Sequence, residues 1–330
     1  MRKKKFVTIK DIAEKAGVSI NTVSRALNNK PDVSQETREK VLRVARELGY
    51  IKNTGAIALR SGATKTIGVI FEDSSNPFYA EVFKGVEATA RKYGYQVVLM
   101  NTERDYIRER QAVETLIEKR VDGIIISPTQ FESEDIDQLL KLNFPFVILG
   151  VHFENVVLDE VYSDDFKGGY LATKHLLEKG RKRILMLNGY MYKSVAQMRY
   201  SGYVKALREF GMEPYYMVEI EEGYESAFNK IMELRNLDYD AIFCFNDVFA
   251  IAALRALKVL GKRVPEDVAV VGYDDIPYAE FVHPTLTTVR IDKYLEGKIA
   301  FEMLYERLLG IREEPKQVML DVELVVREST

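Results

Sequence analysis

The sequence predicts two folded parts: a small all-α helix-turn-helix head, and behind it a larger α/β body of two lobes built on parallel sheets. Three observations carry this. Two short amphipathic helical patterns near the N-terminus flank a glycine turn, and from Thr66 onward short apolar runs alternate with amphipathic stretches. Charge divides at the same place: residues 1–65 hold 15 Lys and Arg against 6 Asp and Glu, the remainder 32 against 44. A basic head attracts phosphate backbones, and an acidic body repels unproductive contacts with them. A chain of 330 residues is long enough for two or three separate cores.

Within the head, Ile9, Ile12, Ala13 and Ala16 follow the i, i+3, i+4, i+7 spacing of one helix face. Thr8 is placed to cap that helix and Asp11 to meet the positive end of its dipole. Gly17 ends it, because glycine takes the left-handed conformation that turns a chain. Val18 follows as an apolar plug, and Ser19 caps a second helix, Ile20 to Leu27, with Val23, Ala26 and Leu27 inward and Ile20, Asn21 and Arg25 outward. A third helix starting at Ser34 brings Val41, Leu42, Ala45 and Leu48 onto the other two, and Gly49-Tyr50 ends it. In such a motif the second helix enters the major groove. Arg25 then suits guanine, Asn21 suits adenine, and Ile20 suits a thymine methyl, while Lys10, Arg38 and Ser19 suit phosphates.

The body's strand candidates, in order, are TIGVIF, QVVLMN, GIIIS, FVILG, RILMLNG, AIFCF and VAVVGY, with helical stretches such as Tyr79 to Tyr93 and Val248 to Leu260 between them. That alternation predicts βαβ units, in two sets parted near Val161 to Ser163. Ligands of such sheets bind beyond the carboxyl ends of the strands. Polar and aromatic residues gather there: Asp73 to Tyr79, Asn188 to Arg199, Asn246-Asp247 and Tyr273-Asp274-Asp275. An Arg and an Asp can clamp neighbouring hydroxyls while an aromatic ring covers the apolar face of a sugar.

Other function classes find little support. Cys244, the only cysteine, lies in the apolar run AIFCF and excludes both an intramolecular disulfide and a cysteine-only metal site. His152, His175 and His283 are scattered, without metal or triad spacing. Phosphate-loop and nucleophile-elbow motifs are absent, so neither enzymatic activity nor a cofactor is expected. No apolar run approaches the roughly 18 residues of a membrane span. The start MRKKKF leads into a polar helix, so the expected location is the cytoplasm.

The run VTIKDIAEKAGVSINTVSRALNNKPDVSQETREKVLRVARELGY closely resembles the DNA-binding head of the lactose-repressor/galactose-repressor (LacI/GalR) family. The stretches SSNPFYAEVFKGVE, FNDVFAIAALRAL and VPEDVAVVGYDDI resemble that family's effector-binding core, itself similar to bacterial sugar-binding proteins. The resemblance implies a periplasmic-binding-protein-like body and three segments. Residues 1–51 form the DNA-binding domain, 52–65 a hinge, and 66–330 the effector-binding and dimerisation core. In that core one lobe spans about 66–162 plus 293–316, and the other about 163–290 plus 319–327. It also implies DNA contacts by Ser19, Ile20, Asn21, Thr22, Arg25 and Asn53, with Leu59 as a minor-groove wedge. Lys52 stands where proline is usual, Gly55 weakens a short helix, and Ile57 replaces the usual arginine. In the body it places Phe78 and Tyr79 at the cleft mouth, Arg199 and Asp274 as a polar clamp, and Asn246 as a further contact. Asp164 falls near a ligand-facing position, with Ser163 where aspartate is common. The expected protein is a homodimeric repressor on a pseudopalindromic operator, released by a sugar inducer. The alternatives are a regulator dependent on a purine or phosphoprotein corepressor, and a transport-type sugar-binding protein.

Overall fold

The computed structural model describes residues 7–51 and 62–330, which cluster into two compact units divided between Thr64 and Lys65. In the first unit three helices, α1 (Ile9–Ala16), α2 (Ile20–Leu27) and α3 (Gln35–Leu48), enclose a core of Ile12, Ala13, Ala16, Val23, Ala26, Val41, Val44 and Ala45. Each helix begins on a hydroxyl cap: Thr8 accepts from the Asp11 amide, Ser19 from Thr22 and Ser34 from Thr37. Asp11 answers Thr8 by accepting its backbone amide at 2.7 Å, which completes a capping box. Gly17 sits at φ 65° and closes α1 with bonds to Ala13 and Glu14 carbonyls, a conformation that a side chain would strain. The core face of α3 differs from expectation. Leu42 is 38% exposed, and Val44 takes the inward position, because the 3.6-residue period runs 41, 44, 45, 48.

The second unit contains two six-stranded sheets. The first comprises β1 (Thr66–Phe71), β2 (Gln96–Asn101), β3 (Gly123–Ile126), β4 (Phe146–Leu149), β5 (Glu160–Ser163) and β11 (Gln317–Leu320), in the order 11-5-4-3-1-2 and wholly parallel. The second comprises β6 (Ile184–Asn188), β7 (Tyr216–Glu219), β8 (Ala241–Cys244), β9 (Ala269–Asp274), β10 (Thr287–Arg290) and β12 (Glu323–Val325), in the order 12-10-9-8-6-7 with only β12 antiparallel. Sandwiching helices explain the unbroken apolar runs of the central strands. In the first lobe α4 (Pro77–Lys92) and α11 (Lys293–Leu308) cover one face, and α5 (Tyr106–Glu118) and α6 (Glu134–Lys141) the other. In the second lobe α7 (Asp165–Glu178) and α8 (Ser194–Glu209) oppose α9 (Tyr224–Glu233) and α10 (Asp247–Val259).

The chain crosses between lobes three times, and two crossings fall later than the sequence suggests. All of β5 lies in the first sheet, so the first crossing comes at Asp164. Strand β11 pairs with β5, from Gln317 opposite Glu160 to Leu320 opposite Ser163, which moves the last crossing to Asp321. The helix starts also shift. Asn76 caps α4 with Pro77 in its first turn, and Asn246 caps α10, each about one or two residues before the apolar pattern begins.

Candidate functional site: a reading helix and an interlobe cleft

On α2, Ile20 is 47% exposed, and Asn21 and Arg25 are exposed beside it. Ser19 Oγ accepts from the Thr22 amide at 3.0 Å and lies 2.8 Å from its hydroxyl, so both residues shape the start of the helix. Arg38, expected to face phosphate, instead donates to the carbonyls of Lys30, at 2.6 Å, and Val33, bracing the loop ahead of α3. Arg25 Nε donates to Asp32 Oδ2 at 2.6 Å, and this hydrogen bond holds the Asp32 carboxyl below the usual carboxylate range. Asn53, Leu59 and the atypical hinge positions Lys52, Gly55 and Ile57 lie outside the described residues.

The Arg25–Asp32 pair leads to an expected result. Asp32→Ala frees one cation for phosphate and should steepen the salt dependence of binding to random duplex by a log–log slope of about one. Fluorescence anisotropy across a salt series measures this; an unchanged slope counts against Asp32 restraining Arg25.

In the body, the strand ends of the two lobes face one another across a cleft lined by Phe78, Tyr79, Arg199, Asn246 and Asp274, five of the six sequence-predicted residues. Asp164 is not among the lining residues. Its carboxylate caps α7 by accepting from the Lys167 amide at 2.9 Å, and its neighbour Asp165 turns inward instead. Arg199 Nε donates to Asp165 Oδ1 at 2.8 Å, Nη1 donates to the Phe245 carbonyl, and Nη2 stands 3.9 Å from Asp274 Oδ1. The guanidinium lies 3.6 Å from the Tyr273 ring centroid and 4.7 Å from that of Phe245. Close approach of α7 and α8 sets this position, since a Cβ on Gly169 would lie 2.2 Å from the Arg199 carbonyl oxygen and one on Gly202 2.1 Å from that of Phe166. Burial pushes the Asp274 carboxyl up to about 7, against the pull of Arg199 and Lys293.

Asp274 and Asp275 have φ values of 104° and 50°, conformations uncommon outside glycine. Lys293, the first residue of α11, donates to both of their carbonyls and so ties this turn to a helix of the other lobe. Asn246 presents its Oδ1 to the Phe249 amide, which leaves its amide nitrogen as the group that could meet a ligand.

A second cluster was missed by sequence reasoning. Lys193, buried at the end of the β6–α8 loop, donates to Glu222 Oε1 at 2.7 Å within its own lobe and to Glu72 of the other lobe. Burial disfavours its charge, but Glu222 and Glu72 outweigh it and raise the ammonium above its ordinary value. Glu222 is likewise opposed by burial, yet Lys193 holds it below the usual range. Tyr79 donates to Glu72 Oε1 at 3.2 Å and lies 3.2 Å from Ser127 Oγ. Arg104 pairs with Asp73 and reaches to 3.8 Å of Glu222. Side chains of both lobes thus bridge the cleft, which retains a volume of about 60 Å³. Among the described residues no group of three His, Cys, Asp or Glu is placed to hold a metal, and no helix is long and apolar enough to cross a membrane.

Comparison with known proteins fits both units. Residues 8–53 match the model of bacterial regulatory proteins of the lacI family, and residues 64–328 that of periplasmic binding proteins and the sugar binding domain of the LacI family. The chain belongs to the LacI family. It is 37% identical to the HTH-type transcriptional repressor PurR of Pasteurella multocida (strain Pm70), over 98% of both chains. It is equally 37% identical, over 98% of both chains, to the ribose operon repressor of Haemophilus influenzae (strain ATCC 51907 / DSM 11121 / KW20 / Rd). Among solved structures, the Lac repressor dimer bound to operator and the anti-inducer ONPF aligns at a TM-score of 0.88 and 30% identity, covering 98% of this chain and 99% of that one. This LacI-family member is a DNA-binding transcriptional repressor controlled by a small-molecule effector, and not an enzyme. Its reading head separates it from transport-type sugar-binding proteins.

Proposed function

We propose that this regulator acts in the cytoplasm as a homodimer, with residues 1–51 reading a pseudopalindromic operator, 52–65 linking, and 66–330 binding effector and partner. The effector is a sugar held between the lobes, and it releases the protein from DNA. The carrying observation is the convergence of Arg199, Asp274, Asn246, Phe78 and Tyr79 on one interlobe cleft. A buried guanidinium beside a carboxylate suits neighbouring hydroxyls, and Phe78 offers an apolar face. The likeness to a ribose operon repressor supports the same class. A ligand shifts the lobes only by preferring one arrangement, so the inducer must bind the DNA-incompetent arrangement more tightly.

The test begins with a thermal-shift screen of D-ribose, D-glucose, cellobiose, adenine and guanine on the full chain. Operator binding follows, on duplexes selected from a random pool, with and without the stabilising compound. Asp274→Asn and Phe78→Ala are each expected to weaken that compound at least about tenfold. Unchanged affinity in both variants would place the pocket elsewhere. A purine corepressor that tightens operator binding would reverse the sign of the shift.

A further inference from the structure

Outside the cleft, the segment after β3 and the segment after β6 carry three large rings that contact one another across the lobe boundary. Phe131 is 63% exposed, and its ring centroid lies 5.6 Å from that of Tyr192, edge on at 82°. Tyr192, 44% exposed, stacks on Tyr190, 39% exposed, at 5.6 Å and 20°. Isolated exposed apolar residues are ordinary, but a contiguous exposed patch marks a surface that binds something.

The strip is joined to the cleft on both sides. Tyr192 precedes Lys193, whose ammonium sits among the cleft carboxylates. Phe131 follows Gln130, whose Oε1 accepts from the Ser194 amide at 2.9 Å and hydroxyl at 3.1 Å, and whose Nε2 donates to the His152 carbonyl. Both ring-bearing segments are therefore anchored beside the cleft-lining Lys193 and across the lobe boundary by bonds that flank the rings. Both also leave the carboxyl ends of strands, the side on which ligands of such sheets bind. The about 60 Å³ inside is room for a few waters and less than a sugar ring, so a saccharide must widen the cleft.

A pyranose presents a C–H face that an aromatic ring covers, with hydroxyls at its edge for polar neighbours. Gln130, half-buried and next to Phe131, supplies such a neighbour on one side. A planar base inserts best into a slot between two rings. Here Tyr190 and Tyr192 already stack on each other and offer a continuous outer face. We propose that Phe131, Tyr192 and Tyr190 form an outer subsite that stacks the second and later rings of a pyranose oligosaccharide whose first ring occupies the interlobe cleft. The proposal rests on the cleft being the effector site.

Calorimetric titration of the full chain with matched series, D-glucose, cellobiose and cellotriose beside D-xylose, xylobiose and xylotriose, tests it. In one series at least, the disaccharide should bind about tenfold or more tightly than its monosaccharide. Tyr192→Ala and Phe131→Ala should remove that gain and leave monosaccharide affinity unchanged, with operator binding in the absence of sugar as the control for folding. Equal affinity of monomer and oligomer overturns the subsite, as does a variant that shifts both affinities alike in either direction, which would mean that the rings only hold the lobes together. Binding by D-ribose or a purine alone, lost in Asp274→Asn, overturns the subsite and keeps the cleft. If no pyranose probe binds, the subsite falls, and the cleft reading stands or falls on the thermal-shift screen alone.

Discussion

Arg199→Met is expected to destabilise the body by about 3–5 kcal/mol, the largest loss of any single substitution considered, because it strands buried carboxylates. Asp165 and Asp274 are both buried, and Arg199 is the cation between them. Burial raises the Asp165 carboxyl above its ordinary value, and the guanidinium is the main influence opposing that rise. Methionine fills much of the volume over Tyr273 but supplies neither charge nor the donor to the Phe245 carbonyl. The double variant Arg199→Met/Asp165→Leu removes the stranded charge together with its partner and should recover a substantial part of the loss. Urea unfolding at pH 7, followed by circular dichroism, reports both. Strict additivity of the two substitutions would show that the pair is not coupled.

The same pair shows how far the sequence could be read. Asp274 was legible because it ends a strand that a parallel α/β sheet turns toward its ligand, whereas Arg199, inside α8, was placed by the resemblance to the LacI/GalR family. Asp165 was not, because one residue decides whether a carboxylate caps a helix or turns inward, and Asp164 holds the cap. Glu72, Lys193 and Glu222 escaped for another reason. Their pairing joins residues 121 and 29 positions apart, and no local period reports such a contact. A signal did exist: Glu72 directly follows β1, and Glu222 lies shortly after β7. Applying the strand-end rule to every strand would have found them. That required recognising β7, an edge strand with mixed exposure and no continuous apolar run.

Edge strands account for the misplaced lobe boundary as well. Strand β11 alternates exposed and half-buried residues over four positions, so it lacks the apolar run that marks central strands such as β3 and β4. Its place beside β5 comes from pairing over more than a hundred residues. In the head, by contrast, almost everything was local: hydroxyl caps, a left-handed glycine and a 3.6-residue period. The exception, Leu42 for Val44, was also local: the 3.6-residue period through Val41, Ala45 and Leu48 takes Val44 and leaves Leu42 outward.

Stability of the ligand-free protein should fall as pH rises from 6 to 9, opposite to the trend set by carboxylates in ordinary ion pairs. Three buried carboxyls set this direction. Burial, reinforced by Asp135, pushes Glu109 up to about 9; burial, reinforced by Asp165 and Asp274, pushes Glu296 up to about 8; and Asp274 stands at about 7. In the unfolded chain all three titrate near pH 4. Between about 4 and 9 the folded state therefore binds more protons than the unfolded one, and ΔG of unfolding declines with pH. Their contribution is complete below the unfolded values and is lost as pH passes through 7, 8 and 9 in turn. Glu109 gives the sharpest control, since its Oε2 accepts from the Thr129 amide at 2.8 Å, a bond that an amide oxygen can keep. Glu109→Gln mimics the protonated carboxyl in the folded and unfolded chain alike, so it should match the parent only below about pH 4 and exceed its Tm by a margin that widens from pH 6 to reach at least about 5 °C at pH 9. Differential scanning calorimetry over that range decides. A parent Tm that rises toward pH 9, or a variant that tracks the parent throughout, would show that Glu109 carries its charge in the fold.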